Sequence, residues 1–231
     1  MKDLGRKPLS APEEALIRTA SQSSMVSKPA LRGLLRSVDY LVENRIPGDF
    51  VQSGVWRGGS SFLVAARLKE RGSTERHLWL FDTFSGMVPP TNRDVRFDGR
   101  PASIVLDEEA YLGEDSYHWA SAREEVVRDV MQKSGYPDER VHLVAGDVLE
   151  TLESHAPERV ALAYLDTDWF ASTSEELRVL VPRMVRGGIV IVDDYNYWQG
   201  SRSAVDEYFE KAGIKPLLRS HGRWDKHWIV S

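Results

Sequence analysis

Apolar residues recur at helical spacing through Leu31, Leu34, Leu35, Val38, Leu41 and Val42, and this single stripe predicts an amphipathic helix. Pro47-Gly48 makes a turn, and Asp49 to Ser53 reads as a short strand running into a glycine-rich bend. Ser60 or Ser61 can cap the next helix, which Gly72 ends. Leu78 to Phe81 is a second buried strand that stops at Asp82, and Val141–Val144, Val160–Leu165 and Ile189–Val192 are three more. Val126, Val127, Val130 and Met131 follow a capping box of Ser121 and Glu124. A second box, Thr173 with Glu176, precedes Leu177, Leu180, Val181 and Met184. A last helix around Ala204 to Phe209 leads to two strand-like runs near Leu217 and Trp228.

Strands alternating with amphipathic helices imply an α/β fold with a largely parallel sheet covered on both faces. Residues 1–29 read as an N-terminal arm with one short helix, and 30–231 as one domain. Within that domain Met87 to Ala120 has no clear period and is rich in charge, proline and aromatics, as lids often are.

Composition narrows the class. The 231 residues are 42% hydrophobic with no cysteine, which excludes disulfides and thiolate metal sites and fits a cytoplasmic location. A net charge of −5 argues against bare nucleic acid as partner. No run approaches the ~18 apolar residues of a membrane span, and the N-terminus lacks a signal-peptide core.

In open α/β sheets ligands bind beyond the carboxyl ends of the strands, which gives the motifs a common location. The turn Gln52-Ser53-Gly54-Val55-Trp56-Arg57-Gly58-Gly59-Ser60 is not GxGxxG and suits a cofactor without pyrophosphate. Asp82, 28 residues after Gly54, stands where an acid can accept both hydroxyls of an adenosine ribose. Gly146-Asp147 offers a carboxylate to an adenine amino group. Asp166-Thr167-Asp168 and Asp193-Asp194 close two continuously apolar strands, bringing together carboxylates whose repulsion a cation would relieve. Hard oxygen donors without Cys or His point to Mg²⁺, with Ca²⁺ or Mn²⁺ as substitutes. His77, His142 and His155 have no metal-type spacing, and His118 in the lid is a weaker candidate for substrate contact. Trp169, Tyr195, Tyr197 and Trp198 flank the acids and suit either core packing or stacking on a ring.

Together these motifs resemble the macrocin O-methyltransferase family, which methylates sugar hydroxyls on macrolide and aminocoumarin antibiotics. The resemblance rests on Gly54–Gly59, on Asp82-Thr83-Phe84-Ser85-Gly86, on Leu165–Asp168 with Ser172-Thr173, and on Gly187–Tyr195. It implies a class I methyltransferase (Rossmann-like) sheet of seven mostly parallel strands with the last antiparallel. It implies S-adenosylmethionine held by Ser24-Met25, by Gln52, Ser53, Gly54, Val55, Trp56, Gly58 and Ser60, by Asp82 to Gly86, by Gly146-Asp147 and by Asp166. It also implies Mg²⁺ on Asp166, Asp193 and Asp194, with Asp168 as general base, although Asp166 can serve as both ligand and base. The expected activity is methylation of a sugar hydroxyl on a small glycosylated natural product by a homo-oligomer, dimer or higher. Departures from the family are Gln52 for a usual Glu, Thr167 for a usual Gly, bulky Trp169-Phe170, and Asp147 where an aromatic is common. Two other readings stay open: a metal-dependent glycosyltransferase using Asp166-Thr167-Asp168 as a DxD motif, and a non-catalytic binding protein on a methyltransferase fold.

Overall fold

Both faces of the sheet are apolar, which is why its strands read as unbroken hydrophobic runs. In the computed structural model, which describes residues 8–110 and 121–231, six strands form one sheet in the order β3-β2-β1-β4-β5-β6. They are β1 (Asp49–Ser53), β2 (Leu78–Asp82), β3 (Val141–Ala145), β4 (Val160–Leu165), β5 (Met184–Val192) and β6 (Lys226–Ile229). All neighbours are parallel except β5 and β6. Phe50, Leu80, Leu162 and Ile191 point into a core roofed by α1 (Ala11–Ala20), α2 (Lys28–Glu43), α3 (Gly59–Glu70) and α5 (Glu124–Gln132). Val51, Phe81, Ala163 and Val190 point the other way, against α6 (Val148–His155), α7 (Phe170–Leu180) and α8 (Gln199–Ala212).

The structure departs from the sequence reading in several places. The sheet has six strands among the described residues, not seven. The run near Leu217 is not a strand: Leu217 is 74% exposed, Pro216 has no N–H to give, and only Arg219 bridges to His227 of β6. The segment after Met87 contains α4 (Ala102–Ala110), short and weakly amphipathic, while residues 111–120 and with them His118 lie outside the described residues. None of the predicted caps forms as read. Gly58, with φ 84°, caps α3; Arg123 begins α5; and α7 starts at Phe170, so Thr173 and Glu176 sit inside it, buried. The cap of α7 comes from a distant residue, because buried Asp94 accepts the Phe170 N–H at 2.7 Å.

The N-terminal segment is tied down by charge and by backbone. Glu13 of α1 pairs with Arg36 of α2 and Arg67 of α3 (both 2.8 Å), and Asp39 takes Arg67 at 2.7 Å and Arg71 at 2.8 Å. Beyond α1, the Gly59 N–H donates to Ser23 O at 2.8 Å, and a Cβ on Gly59 would lie 2.4 Å from Ala20 O. This contact lays Ser24 to Ser27 across the mouth of the first strand-to-helix turn.

At the other end of the chain, the loop before β6 is locked by a histidine. His221 lies flat on His227 of β6, with centroids 3.7 Å apart, and over Gly33 of α2, where any Cβ would overlap its ring. Asp225 accepts the His221 and Gly222 N–H groups. Burial, together with the neighbouring His227, lowers the His221 pKa from the ordinary 6.5 to about 4. The unfolded chain therefore binds this proton more tightly than the folded one. The corresponding stability is complete above pH 6.5 and drains away as the pH falls toward 4. Denaturant titrations at pH 7 and pH 5 should differ by about 2 kcal/mol from this group, and His221→Gln should flatten that difference. An unchanged slope in the variant would show that His221 does not carry it.

Candidate active site

The sheet register aligns the functional residues along one edge. Ser53 pairs with Phe81 and with Leu165, and Leu165 pairs with Val192. The ladder then continues one step beyond the strands. Gly54 N donates to Phe81 O (2.9 Å), Asp166 N to Ser53 O (2.9 Å), Gly146 N to Asp82 O (3.0 Å) and Asp193 N to Leu165 O (2.9 Å). The turn residues thus inherit the rigidity of the sheet. They open onto a cavity of about 620 Å³ at the carboxyl edge.

One half of this cavity is built on Asp82. Its Oδ2 accepts the N–H groups of Val55 (2.7 Å) and Trp56 (2.9 Å), and its Oδ1 accepts that of Phe84 (2.8 Å). The carboxylate therefore shapes both glycine-containing turns and also faces the cavity. Asp147 caps α6 by accepting the Leu149 N–H at 2.9 Å and lines the wall beside Gly146. Ser24, Met25, Gly54, Val55, Trp56, Ser60, Thr83 and Gly86 line it too.

Other residues expected there do not reach the cavity wall. Gln52 is buried with its amide fully used: Nε2 donates to Gly54 O and Ser60 Oγ (both 2.9 Å), and Oε1 accepts from Ser61 at 2.7 Å. That neutral network is why an amide can stand where a charged residue is usual. Ser53 donates to Glu176 beneath the sheet edge, and burial raises the Glu176 pKa to about 8 despite that bond. Gly58, Phe84 and Ser85 lie in the turns behind the wall.

The other half of the cavity is acidic. Oxygens of Asp166, Asp168 and Asp194 all lie within 4.8 Å of one another, on half-buried carboxylates. Asp193 is not part of this triad, because its Oδ1 accepts the Tyr164 hydroxyl at 2.7 Å. Asp168 takes its place through an unusual backbone. The Trp169 N–H closes onto Thr167 O at 2.8 Å, leaving Asp168 with φ 68° at the apex of a γ-turn of the rare left-handed kind. Of the four non-glycine residues with positive φ among the described residues, three (Trp56, Phe84 and Asp168) sit in turns around this cavity, a strain of about 1–3 kcal/mol each that the fold must hold in place.

Crowding shows in the proton affinities. Burial, then the charges of Asp193, Asp194 and Asp168, hold Asp166 far above the carboxylate range. Burial and Asp168 do the same to Asp194. Asp168 itself is raised by burial, but a hydrogen bond with Asp194 limits it to about 6. Three converging hard oxygen donors that repel one another have the chemistry of a divalent-cation site. Sequence reasoning missed Met87, Val88 and Leu106 of the lid segment and Arg223, Trp224 and Asp225 of the His221 loop, all of which line the cavity. Nothing periodic marks them, since all but Leu106 arrive on loops and Leu106 sits on the short, weakly amphipathic α4.

The chain matches the profile of the macrocin-O-methyltransferase family (TylF) over residues 14–228. It belongs to that family. A tetracenomycin-C 4'-O-methyltransferase of Streptomyces olivaceus, acting on an 8-(2,3-dimethoxy-α-L-rhamnosyl) derivative, is 36% identical over 83% of this chain and 69% of its own. Demethyldecarbamoylnovobiocin O-methyltransferase of Streptomyces niveus is 32% identical over 90% and 76%. Among solved structures the O-methyltransferase NovP superposes with a TM-score of 0.76 at 30% identity, over 90% of this chain and 82% of that one. The calicheamicin methyltransferase CalS11 shares the fold, with a TM-score of 0.65 at 19% identity over 99% and 97%. Like these macrocin-type enzymes, the chain is an O-methyltransferase, which decides against the glycosyltransferase and non-catalytic readings. No helix among the described residues is long and apolar enough to cross a membrane.

Proposed function

We propose that this enzyme transfers the methyl group of S-adenosylmethionine to a sugar hydroxyl of a glycosylated natural product, with a divalent cation, Mg²⁺ by its oxygen donors, on Asp166, Asp168 and Asp194. The observation that carries the reading is the pairing of two half-sites in one cavity: the Asp82-braced turns and, across the ends of β1 and β4, the acidic triad. The turns line the cavity around the Asp82 carboxylate and suit an adenosine, with Asp147 beside the base and Ser24-Met25 closing the amino-acid end. When bound, the cation would neutralise the triad and acidify an oxygen in contact with it. Asp168, held at its left-handed apex position beside the acceptor space, accepts the proton of the attacking hydroxyl. The sheet-edge hydrogen bonds fix cofactor and acceptor relative to one another, and such positioning is a large share of catalysis for an in-line transfer. Relatives named for sugar O-methylation, one on a rhamnosyl group, support the acceptor class.

Thermal unfolding with and without S-adenosylhomocysteine tests the cofactor half. A hundredfold excess over Kd should stabilise the protein by about 2.7 kcal/mol. Asp82→Ala should remove most of that gain. A wild-type protein whose melting temperature does not move would refute the proposal.

A further inference from the structure

An aromatic series runs from the acceptor side of the cavity, where Trp198 bonds to Asp168, out past the cavity rim to Phe97. Five aromatic rings (Phe97, Trp224, Tyr197, Trp198 and Trp169) follow one another with successive centroids 5.0, 5.1, 5.0 and 5.0 Å apart. The series begins in solvent, with Phe97 48% exposed, and ends at buried Trp169, next in sequence to Asp168. Four separate segments supply it: the hairpin in which Val95 bridges Pro101, the turn between β4 and α7, the loop between β5 and α8, and the loop before β6. At the outer end Arg223 is exposed with its Cζ 4.3 Å from the Trp224 centroid, and it makes no ion pair among the described residues. Among the described residues Arg223 is the sole cation lining the cavity, against seven aspartates.

A sugar whose hydroxyl reaches Asp168 meets the inner rings only. The outer rings and the guanidinium lie where the substituent of that sugar must leave the cavity. Resting on the glycoside reading above, we propose that this outer wall is an aglycone subsite for a planar, π-rich aglycone carrying an acidic phenol or enol, whose oxygen pairs with Arg223. Rings set edge-on and tilted to one another match the quadrupole of a further aromatic, which an aliphatic group does not offer. A guanidinium 4.3 Å from the centre of an indole offers a charged partner on which an anion can rest beside a ring able to stack. A nucleoside diphosphate is also planar and anionic. It brings at least two negative charges to an outer wall that offers one guanidinium and has the Asp225 carboxylate beside it, where the second charge goes unpaired.

Calorimetry on the S-adenosylhomocysteine complex with Mg²⁺ tests this with four probes: a mono-α-L-rhamnoside of 1,8-dihydroxyanthraquinone with one phenol free, its phenol methyl ether, cyclohexyl α-L-rhamnoside, and TDP-rhamnose. The free-phenol glycoside should bind at least about tenfold tighter than the cyclohexyl one, in line with added ring contacts. Trp224→Leu, and separately Phe97→Ser at the exposed end, should erase most of that margin, with retained S-adenosylhomocysteine affinity showing that each variant is folded. Arg223→Gln should bring the free phenol and its methyl ether to equal affinity. Equal binding of the aryl and cyclohexyl glycosides, no binding of either, or tightest binding of TDP-rhamnose would overturn the inference and leave the cofactor site standing. Failure of S-adenosylhomocysteine itself to bind would instead refute the underlying function.

Discussion

Asp168→Asn should lower kcat by about 10²–10⁴, the usual contribution of a positioned base, while Asp193→Asn should leave the cation requirement close to wild type. The contrast follows from side-chain direction. Asp166, Asp168 and Asp194 turn their oxygens toward one another, whereas Asp193 is engaged by the Tyr164 hydroxyl, which an Asn carbonyl oxygen can accept equally well. Burial, reinforced by Asp194, raises the Asp193 pKa to about 8, so the neutral amide should also leave stability without added cation unchanged or higher. Asp166→Ala and Asp194→Asn should shift the Mg²⁺ dependence of turnover to higher concentration, and calorimetry should show weakened Mg²⁺ binding. If Asp193→Asn loses Mg²⁺ while Asp168→Asn keeps both Mg²⁺ and rate, the triad is wrongly composed.

The second large effect is expected from a single methyl group. Gly54 has φ 77°, and a Cβ there would sit 1.9 Å from Asp166 O. That neighbour is backbone, fixed by the bond from Asp166 N to Ser53 O, and cannot swing aside. Gly54→Ala must therefore part the ends of β1 and β4, where the two half-sites join. It should cost roughly 3 kcal/mol or more in denaturant titrations and weaken S-adenosylhomocysteine and Mg²⁺ together. Gly72→Ala is the control: its φ of 67° is just as strained, but nothing lies within 4 Å, so only the about 1–2 kcal/mol backbone cost applies. Equal losses in the two variants would show that the close approach to Asp166 carries no weight.

The two strand-end acid motifs and the glycine turn were legible because each follows an apolar run whose length fixes where the strand stops. A parallel register then delivers them to one edge. What sequence could not say is which way each side chain turns once there. Asp193 faces a tyrosine on the neighbouring strand, while a left-handed γ-turn brings Asp168 beside Asp166 and Asp194, and neither arrangement has a local signature. Gln52 was expected as a cofactor contact, and its amide bonds instead to Ser60 and Ser61 in the first turn of α3. The cap predictions failed for the same reason, since Asp94 caps α7 from 76 residues away. Of the aromatic series, Trp169, Tyr197 and Trp198 were visible beside the acids, whereas Phe97 and Trp224 arrive on separate loops with no period to mark them.

The claim on which the account stands is that one cavity joins a methyl donor to a sugar hydroxyl at the acidic triad. The most direct test incubates the enzyme with methyl-deuterated S-adenosylmethionine, Mg²⁺ and an aryl α-L-rhamnoside, and reads the products by mass spectrometry. The account predicts a glycoside carrying one deuterated methyl on its sugar, lost with EDTA, restored by Mg²⁺ and nearly absent with Asp168→Asn. Label found on the aglycone instead of the sugar, or full EDTA-resistant transfer by the wild type and by Asp168→Asn, would contradict it.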